Sequence, residues 1–323
     1  MAQQADRSPH NAAFAAPVLA LFLDWALGDP PNRWHPVAWQ GRFLGKAEAR
    51  APHGDRARFF YGALTVGIGA AVSALAAVVA QNWTRRLPRG LRWATEAALL
   101  KLALSARGLD RAAGEVEAAL RRDDLPAARR LLGWHLVSRD TSDLSAEEVA
   151  GAAVESVAEN VTDGLIAPLC AWVMGGLPAV WAYRLCQTAD SMWGYHDPVH
   201  EWLGKPAARL DDALNWLPAR LSAALLIASA ALCGEDARQA WRTRCAQANR
   251  TASPNAGQTM AAMAGTLGVT LTKRGHYTLA GGDRPVTPDV LRRARRVMRR
   301  AAILGAVAAA LVSFLRWRAS GTH

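Results

Sequence analysis

The sequence predicts an all-α, polytopic membrane protein, and three observations lead to that fold class. Residues 60–81 form a run of 22 residues without a charged side chain, and about 20 apolar residues are enough for a helix to cross a bilayer. Hydrophobic residues make up 51% of the chain although its mean hydropathy is close to zero, so the apolar residues come in blocks. Arginine clusters flank these blocks, which is typical of the basic loops beside membrane spans.

Further apolar runs are predicted to be spans, although the shorter ones could instead be buried core helices. They are residues 12–27, 164–186, 213–233 and 301–315. Asp24 interrupts the first run, and Gly175 and Gly176 lie at the centre of the second. The second run is either a straight span, since glycine occurs in transmembrane helices, or a re-entrant hairpin of two half-helices. We expect one membrane-embedded domain over residues 1–323, with amphipathic connector helices.

The polar stretches between these runs carry the candidate functional residues. They are residues 28–59, 138–163, 187–217 and 249–275. Residues 91–134 are predicted to form amphipathic helices that connect the spans along the membrane surface. Leu99, Leu102 and Leu109 share a helix face there, Lys101 lies elsewhere, and we assign this segment no chemistry.

The net charge of +11 comes from arginine, with eleven arginines in residues 85–139 and six in 292–300. A basic chain often binds nucleic acid, but no nucleic-acid-binding motif accompanies these clusters. Because they lie beside apolar runs, the lipid bilayer is the predicted partner. The four cysteines contain no Cys-x-x-Cys pair, so we expect buried thiols rather than disulfides or a zinc site.

Residues 138–169 contain the densest group of candidate site residues. Ser145 and Glu148 form a capping box that predicts a helix starting at about Ala146. On this helix Glu155, Glu159 and Asp163 are spaced at i, i+4 and i+8, so they should share one face. Like charges at this spacing repel, so a metal ion, an arginine or a bound substrate should offset them. A solvated helix face is the alternative.

Asp29 and His35 lie in a turn-rich segment after the first apolar run. His35 could act as an acid, a base or a phosphate donor, although a lone histidine in a turn is more often structural. Asp24, inside the apolar run, is costly to bury and is therefore a candidate functional residue. A hydrogen-bonded position at a helix end would explain it equally well.

A second polar cluster follows the run 164–186. It comprises Asp190, Ser191, Arg209, Asp211, Asp212, Asn215 and Arg220. On a helix from about residue 207, Asp211 and Asn215 are one turn apart. Carboxylate and amide oxygens suit Mg²⁺, which usually bridges phosphates. An internal ion pair between Arg209 and Asp212 is the alternative, and the sequence does not decide between them.

A third cluster is Ser253-Pro254-Asn255-Ala256-Gly257, at the start of a helix rich in small residues. Serine before proline is a favourable N-cap and N1 pair, and exposed backbone N–H groups there could bind a phosphate. Plain capping with close helix packing is the alternative. No Walker A motif, kinase glycine loop or dinucleotide-binding fingerprint is present.

Taken together, these clusters resemble one family, the adenosylcobinamide-phosphate synthases (CbiB/CobD) of cobalamin biosynthesis. The matching stretches are Leu27-Gly28-Asp29-Pro30, His35-Pro36-Val37, Val137-Ser138-Arg139-Asp140-Thr141, Glu155 to Asn160, Asp163-Gly164, Ala167-Pro168-Leu169, Asp190-Ser191-Met192, Gly194-Tyr195, Arg209-Leu210-Asp211-Asp212, Asn215, Pro218-Ala219-Arg220, Ser253 to Gly257, and Ala264-Gly265. The chain departs from the family pattern at Ala189, along 196–203, and at Lys273-Arg274.

The resemblance implies an ATP-dependent amide ligase with Mg²⁺ as its metal. The substrates would be adenosylcobyric acid and (R)-1-aminopropan-2-ol or its O-phosphate. The implied location is the bacterial cytoplasmic membrane, with the active site on the cytoplasmic side and other cobalamin-pathway enzymes as possible partners. A membrane transporter, which would leave ATP unconsumed, and a non-catalytic scaffold, which would not need these polar clusters, are the alternatives.

The residues can be given roles in such a reaction. Mg²⁺ would be held by Glu155, Glu159 and Asp163, with Asp211 or Asp212. Arg139 and Arg220 would contact phosphate in a forked geometry, and His35 or one carboxylate would deprotonate the amine. The remaining candidates for binding substrate or ATP are Asp29, Asp140, Asn160, Asp190, Ser191, Arg209, Asn215, Ser253, Asn255 and Gly257.

Overall fold

The computed structural model describes residues 13–195 and 197–320, and most of them are helical. Its main helices are α1 (Ala16–Leu27), α2 (Pro36–Glu48), α3 (Asp55–Thr84), α4 (Arg89–Lys101), α5 (Ala106–Arg121), α6 (Leu125–His135), α7 (Ala146–Val161), α8 (Ala167–Trp193), α9 (Glu201–Leu214), α10 (Trp216–Leu232), α11 (Ala237–Gln247), α12 (Ala256–Leu267) and α13 (Pro288–Ser320). A π-helical turn, Thr162–Ile166, joins α7 to α8. Strands β1 (Thr270–Lys273) and β2 (Tyr277–Ala280) form an antiparallel hairpin. The predicted all-α class is confirmed.

Three helical stretches of the described chain are long and apolar enough to cross a membrane. They are Asp55–Thr84, Ala146–Trp193 and Pro288–Ala319, and α9 with α10 would add a fourth as one broken span. The predicted spans 60–81, 164–186 and 301–315 lie inside the three stretches, and 213–233 includes α10. The span predicted for 12–27 stays a prediction, since α1 has 12 residues and is about 18 Å long, which is shorter than the roughly 30 Å hydrocarbon core. Residue 12 lies outside the described residues.

The chain divides into two compact units, each built from separated segments. Unit 1 contains residues up to 104, residues 168–214 and residues from 306 onward, whereas unit 2 contains residues 105–167 and 215–305. No single linker separates the units, because the chain passes from one to the other after residues 104, 167, 214 and 305.

In unit 1, α3 packs against α9 through backbone-to-backbone contact. A Cβ atom at Gly62 would overlap the carbonyl oxygen of Leu203, so only glycine allows this approach. The other side of α3 carries apolar side chains that are exposed, including Leu64, Ile68 and Val72. An exposed apolar face on a long helix is expected where lipid covers it, which supports α3 as a span.

In unit 2, α7 and α12 form a core in which small residues allow close packing. Every α12 residue from Gly257 to Leu267 is buried, and α12 packs against α7, α10 and α11. A Cβ atom at Gly257 would overlap the carbonyl oxygen of Ala248, and one at Gly265 would approach that of Gln239 to 2.6 Å. These glycines are therefore required by helix packing.

Many of the arginines in 292–300 take part in ion pairs within unit 2. Arg295 donates to Asp110 at 3.1 Å and to Glu117 at 2.6 Å, and Arg299 donates to Asp110 at 2.7 Å. Arg293 forms a two-point pair with Glu235. This cluster was predicted from its charge to face the membrane surface, but these three side chains bind α13 to other elements of its own unit.

The helix in the run 164–186 is broken at its centre, where the sequence left a straight span and two half-helices open. Gly175 has φ −149° and ψ 18°, and Gly176 has φ 64° and ψ −154°, so neither continues the helix. The backbone at Gly176 lies in a region that L-residues with a side chain rarely adopt. The run is therefore not one straight helix, and the re-entrant hairpin stays a prediction that cysteine accessibility of 138–163 and 187–217 would test.

We predict that Gly176→Ala destabilises the protein by about 1–3 kcal/mol, because alanine must hold a positive φ there. Gly67→Ala is the matched control. Gly67 lies within α3 with nothing within 4 Å of an added Cβ, so alanine should be neutral or slightly stabilising. Thermal unfolding of both variants in detergent measures the difference, and equal midpoints would contradict the prediction.

Candidate functional site

The helix that carries the predicted acidic ladder begins as predicted. Ser145 Oγ accepts a hydrogen bond from the Glu148 amide at 3.2 Å, and Glu148 Oε2 accepts one from the Ser145 amide at 2.9 Å. This reciprocal capping box places the first residue of α7 at Ala146. The guanidinium of Arg274 also donates to Glu148 at 2.5 Å, so the hairpin is attached to the start of α7.

The three acids of the ladder have different environments. Glu155 is only 6% exposed, Glu159 is exposed and Asp163 is half-buried. Asp163 lies in the π-helical turn, whereas Glu155 and Glu159 lie on α7 before it. The π turn also lies where Gly164 approaches Ser105, whose amide donates to the Gly164 carbonyl at 3.1 Å.

Glu155 and Glu159 line an open pocket of about 170 Å³ in unit 2. The other lining residues are Leu136, Val137, Ser138, Arg139, Ala152, Ser156, Lys273 and Tyr277. The pocket therefore lies between α7, the loop before it and the β1–β2 hairpin. Arg139 was predicted as a site residue, whereas Lys273 was noted only as a departure from the family pattern and Tyr277 was missed.

Glu155 is the buried acid of this pocket, and it is only partly satisfied. Its Oε1 atom is buried and accepts no hydrogen bond, and the Tyr277 hydroxyl in the same pocket donates to Met260 Sδ at 3.6 Å. The positive charges of Arg139 and Lys273 act on Glu155, against the negative charge of Glu159. Basic side chains therefore offset part of the negative charge of Glu155, and whether a metal or a substrate offsets the rest stays a prediction.

The hairpin register explains why Lys273 and Tyr277 line the same pocket. Lys273 pairs with Tyr277 and Leu271 pairs with Leu279, so all four side chains lie on one face of the hairpin. Leu271 and Leu279 are fully buried, which fixes that face toward the core. Burial raises the pKa of Tyr277, and the charges of Glu155 and Glu159 raise it further, so the phenol stays a neutral donor.

Two other predicted residues near this pocket have local structural roles. Asp140 is exposed and accepts hydrogen bonds at 2.9 Å from both the amide and the hydroxyl of Ser142. These hydrogen bonds hold the pKa of Asp140 below its ordinary value, as expected for a residue that stabilises a turn. Asn160 is half-buried on α7 and donates to the Ser156 carbonyl at 2.9 Å.

The third predicted cluster, residues 253–257, also lies in unit 2, where it contacts Arg220 of the second cluster. Arg220 donates to the Trp216 carbonyl at 2.7 Å and to Asn255 Oδ1 at 3.4 Å, and its guanidinium stacks on the Trp216 ring. Ser253 Oγ accepts from the amides of Asn255 and Ala256. Helix α12 begins at Ala256, so the predicted start two residues earlier, with Pro254 at N1, is wrong. The alternative of capping with close packing accounts for Ser253 and Gly257, and phosphate binding there stays a prediction.

In unit 1, the predicted residues Asp29 and His35 belong to a polar network that includes Asp24 and Lys101. Lys101 Nζ lies 2.8 Å from Asp29 Oδ1 and 3.9 Å from Asp24 Oδ1, and it donates to the Gly28 carbonyl at 2.5 Å. His35 Nδ1 accepts from the Val37 amide at 3.2 Å, which caps α2, and its Nε2 lies 3.6 Å from Asp29.

The assignment of residues 91–134 as a connector without chemistry needs correction at Lys101. Lys101 is 4% exposed and Asp24 is fully buried, so this lysine is an internal counter-ion. The sequence could have predicted such a counter-ion from Asp24, because an acid inside an apolar helix requires a cation. Burial disfavours the charge of Asp29, but hydrogen bonds from His35 and Lys101 outweigh it and hold the pKa of Asp29 below its ordinary value.

The second predicted cluster lies along α8 and α9, with Asn215 between α9 and α10. Asp190 lies close enough to Asp212 for their negative charges to repel each other, and Gln187 donates to Ser191 Oγ at 3.0 Å. Arg209 is exposed and Asp211 is half-buried. Asn215 is almost fully buried and belongs to unit 2.

Within the described residues, no three His, Cys, Asp or Glu side chains form a group that could hold a metal ion by themselves. Mg²⁺ does not require such a cage, because it usually binds one or two carboxylates together with substrate phosphates and water. The magnesium assignment therefore stays a prediction.

Comparison with known proteins identifies the family and the relatives to which this chain is similar. The family model described as CobD/Cbib protein matches residues 17–307. The cobalamin biosynthesis protein CobD of Dehalococcoides mccartyi is 40% identical over 275 residues, covering 85% of this chain and 89% of the relative. That of Chromobacterium violaceum is 40% identical over 299 residues, covering 90% and 93%. CbiB of Salmonella typhimurium is 37% identical over 279 residues, covering 85% and 86%. No solved structure matches the chain.

We predict that Lys101→Met destabilises unit 1 because it leaves Asp24 buried without its cation. The loss should be at least about 2 kcal/mol, somewhat below the 3–5 kcal/mol typical of fully buried pairs, since the Asp29 side chain is 37% exposed. Lys46→Met is the control, because Lys46 is exposed on α2 and should change stability by less than about 0.5 kcal/mol. Chemical denaturation in detergent provides the measurement.

The same variant should respond differently to acid. A carboxyl group with a lowered folded pKa stabilises the protein above its unfolded pKa, and this stabilisation is lost as the pH falls through the folded pKa. The difference in unfolding free energy between wild type and Lys101→Met should therefore shrink as the pH is lowered from 7 toward 3. A difference that is constant across this range would show that Asp29 does not respond to Lys101.

Proposed function

The chain belongs to the CobD/CbiB family of cobalamin biosynthesis proteins, and on this premise we propose that it is an ATP-dependent amide ligase. It would join the carboxylate of adenosylcobyric acid to the amine of (R)-1-aminopropan-2-ol or of its O-phosphate. The product would be adenosylcobinamide or its phosphate. The observation that carries the proposal is the unit 2 pocket, where a buried carboxylate with an unsatisfied oxygen lies beside an arginine and a lysine.

Amide formation makes two demands on such a site. The carboxylate of the corrinoid is a poor electrophile, so ATP would first convert it to an acyl phosphate and release ADP. The ammonium group of the second substrate must then lose a proton before its nitrogen attacks, and phosphate leaves as the amide bond forms. A positioned carboxylate can take that proton, and we assign this role to Glu155, whose Oε1 has no competing donor.

Mg²⁺, when bound with ATP, would neutralise charge on the phosphates during transfer. Of the five predicted ligands, Glu155 suits the metal least, because Arg139 and Lys273 already act on it. Glu159 and Asp163 in unit 2 and Asp211 or Asp212 in unit 1 are the better candidates. The repulsion between Asp190 and Asp212 supports Asp212 as a ligand, since a divalent cation relieves repulsion between adjacent carboxylates.

Arg139 is the stronger of the two proposed phosphate contacts. It is half-buried in the pocket wall and forms no hydrogen bond or ion pair within the described residues, so its guanidinium can bind an anion. Arg220 already donates to Trp216 and Asn255. His35 is held by Val37 and Asp29, which favours a structural role over its proposed role as a base.

We also propose that the protein lies in the cytoplasmic membrane with its active site on the cytoplasmic side, where ATP is available. The apolar stretches that could cross a bilayer support the membrane location. A transporter would accumulate substrate in proteoliposomes without consuming ATP. A scaffold for other enzymes of the pathway would form no product by itself.

The decisive assay uses purified, detergent-solubilised protein with adenosylcobyric acid, ATP, Mg²⁺ and either amine. Mass spectrometry would detect the amide, and ADP would be measured in parallel. We expect one amide and one ADP for each turnover, dependent on Mg²⁺. If neither amine gives product with correctly folded protein, the ligase proposal is wrong.

We predict that Glu155→Gln lowers kcat by about 100-fold or more, because general-base catalysis contributes roughly 10²–10⁴. Glu159→Gln and Asp163→Asn should lower the affinity for Mg²⁺, so that turnover requires a higher Mg²⁺ concentration. Near-normal turnover of both folded variants would exclude the two residues as metal ligands. Glu115→Gln is the control, because Glu115 pairs with Arg111 on α5, outside the pocket, and its turnover should match that of the wild type.

A further inference from the structure

A pocket of about 400 Å³ in unit 1 lies where two apolar runs end and the helix α8 is broken. It is lined by Gln81, the last residue of the uncharged run 60–81, and by Arg316, which directly follows the run 301–315. The Gln81 Nε2 atom is 3.9 Å from the position that a Cβ atom of Gly176 would take, so the end of α3 adjoins the break. Apolar runs of a spanning helix end where the hydrocarbon core ends, which puts this pocket at the level of the lipid headgroups.

Aromatic side chains form one wall of the pocket. Phe14 and Trp317 line it with their ring centroids 6.2 Å apart, and Phe314 packs against them at 5.4 Å and 5.6 Å. Trp172 lines the pocket from α8 and is only 5% exposed. Tryptophan is enriched at the membrane–water interface, where its ring contacts both acyl chains and headgroups. The aromatic wall therefore agrees with a position at the headgroup level.

The pocket carries positive charge that the lining residues do not neutralise. Arg85 and Arg316 both line it, and none of the described residues that line it is Asp or Glu. Arg316 donates a hydrogen bond to the Val173 carbonyl, a neutral acceptor that leaves its charge in place. The described part of the chain gives the Arg85 side chain no hydrogen bond or ion pair. Basic pockets between transmembrane helices are typical sites for acidic lipid headgroups.

Exposed apolar side chains lie beside each of these arginines, on the side of the hydrocarbon core. Val78 is seven residues before Arg85 on α3, and Val312 is four residues before Arg316 on α13. Residues at these spacings share one face of a helix. Val78 is 38% exposed and Val312 is 41% exposed, so both faces are open to acyl chains.

We propose that this pocket binds one anionic phospholipid, with its phosphate on Arg85 and Arg316 and its acyl chains along Val78 and Val312. Arginine binds phosphate oxygens in a forked geometry, and the volume of about 400 Å³ is within the range of about 300–1,000 Å³ that is usual for ligand pockets. A zwitterionic headgroup fits less well, because no carboxylate among the described lining residues could pair with its ammonium group. The bound lipid would connect the end of α3 to the end of α13 within unit 1.

Native mass spectrometry of the full chain in detergent tests this proposal directly. It would measure the dissociation constants of phosphatidylglycerol and phosphatidylcholine with the same acyl chains, and of glycerol 3-phosphate as a free phosphate ester. We expect phosphatidylglycerol to bind about 5- to 25-fold more tightly than phosphatidylcholine, since each arginine contributes about fivefold to the attraction of an anionic lipid. Glycerol 3-phosphate, which lacks the acyl chains, should bind at least about 10-fold more weakly than phosphatidylglycerol.

Arg85→Gln tests the pocket with little risk to the fold, because the described residues give that side chain no partner. It should lower the affinity for phosphatidylglycerol about fivefold and leave the affinity for phosphatidylcholine unchanged. Arg316→Gln should have the same effect on phosphatidylglycerol. Thermal unfolding of each variant without added lipid would confirm that the protein is still folded.

Arg86→Gln is the matched control, because it removes the same charge one residue further along the chain. Arg86 is exposed and stacks on Trp83, and neither residue lines the pocket. Its affinity for phosphatidylglycerol should stay within about twofold of the wild type, since salt screens exposed charges that do not contact the ligand.

Three results would overturn the proposal. The first is equal affinity of the wild type for phosphatidylglycerol and phosphatidylcholine. The second is an unchanged affinity in Arg85→Gln, or a loss no larger than that in Arg86→Gln, which would indicate attraction by net charge alone. The third is binding of glycerol 3-phosphate as tight as that of phosphatidylglycerol, which would make the ligand a free phosphate ester rather than a lipid.

Discussion

Compensation of buried acids is the constraint on which both units depend. A carboxylate removed from water is destabilising unless a cation or hydrogen-bond donors accompany it. Asp24 has Lys101, Asp110 has Arg295 and Arg299, and Glu235 has Arg293. Each pair joins segments that are distant in the sequence, so the requirement for charge compensation also fixes which helices meet. Some of the arginines in excess therefore stabilise contacts between helices of the same unit.

Glu155 is compensated less completely than Asp110 in the same unit. Asp110 has two arginines in close contact, whereas Glu155 keeps one oxygen without a donor despite nearby cations. Leaving a polar atom unsatisfied is unfavourable for folding, and such sites are commonly those where a ligand completes the set.

Much of this arrangement could be predicted from local patterns, and the remainder could not. The capping box at Ser145 and Glu148, the long apolar helix α3 and the break at Gly175-Gly176 follow from interactions within a few residues. The π turn that contains Asp163 was not predicted, since helical periodicity assumes 3.6 residues per turn. Lys101 and Tyr277 were missed because their partners are more than 70 residues away in the chain. The α12 start was misplaced because Ser253 caps through a turn rather than as a regular N-cap.

The interleaving of the two units has a consequence for biosynthesis of the protein. Unit 1 begins with the earliest described residues but includes residues from 306 onward, so it cannot be completed until those residues have been translated. α3 has to enter the membrane long before the last helix of its own unit exists. Unit 2 likewise waits for residues 215–305 after its first segment has emerged. Synthesis of one unit therefore cannot be completed before synthesis of the other has begun. A truncated chain that stops before α13 contains neither unit complete.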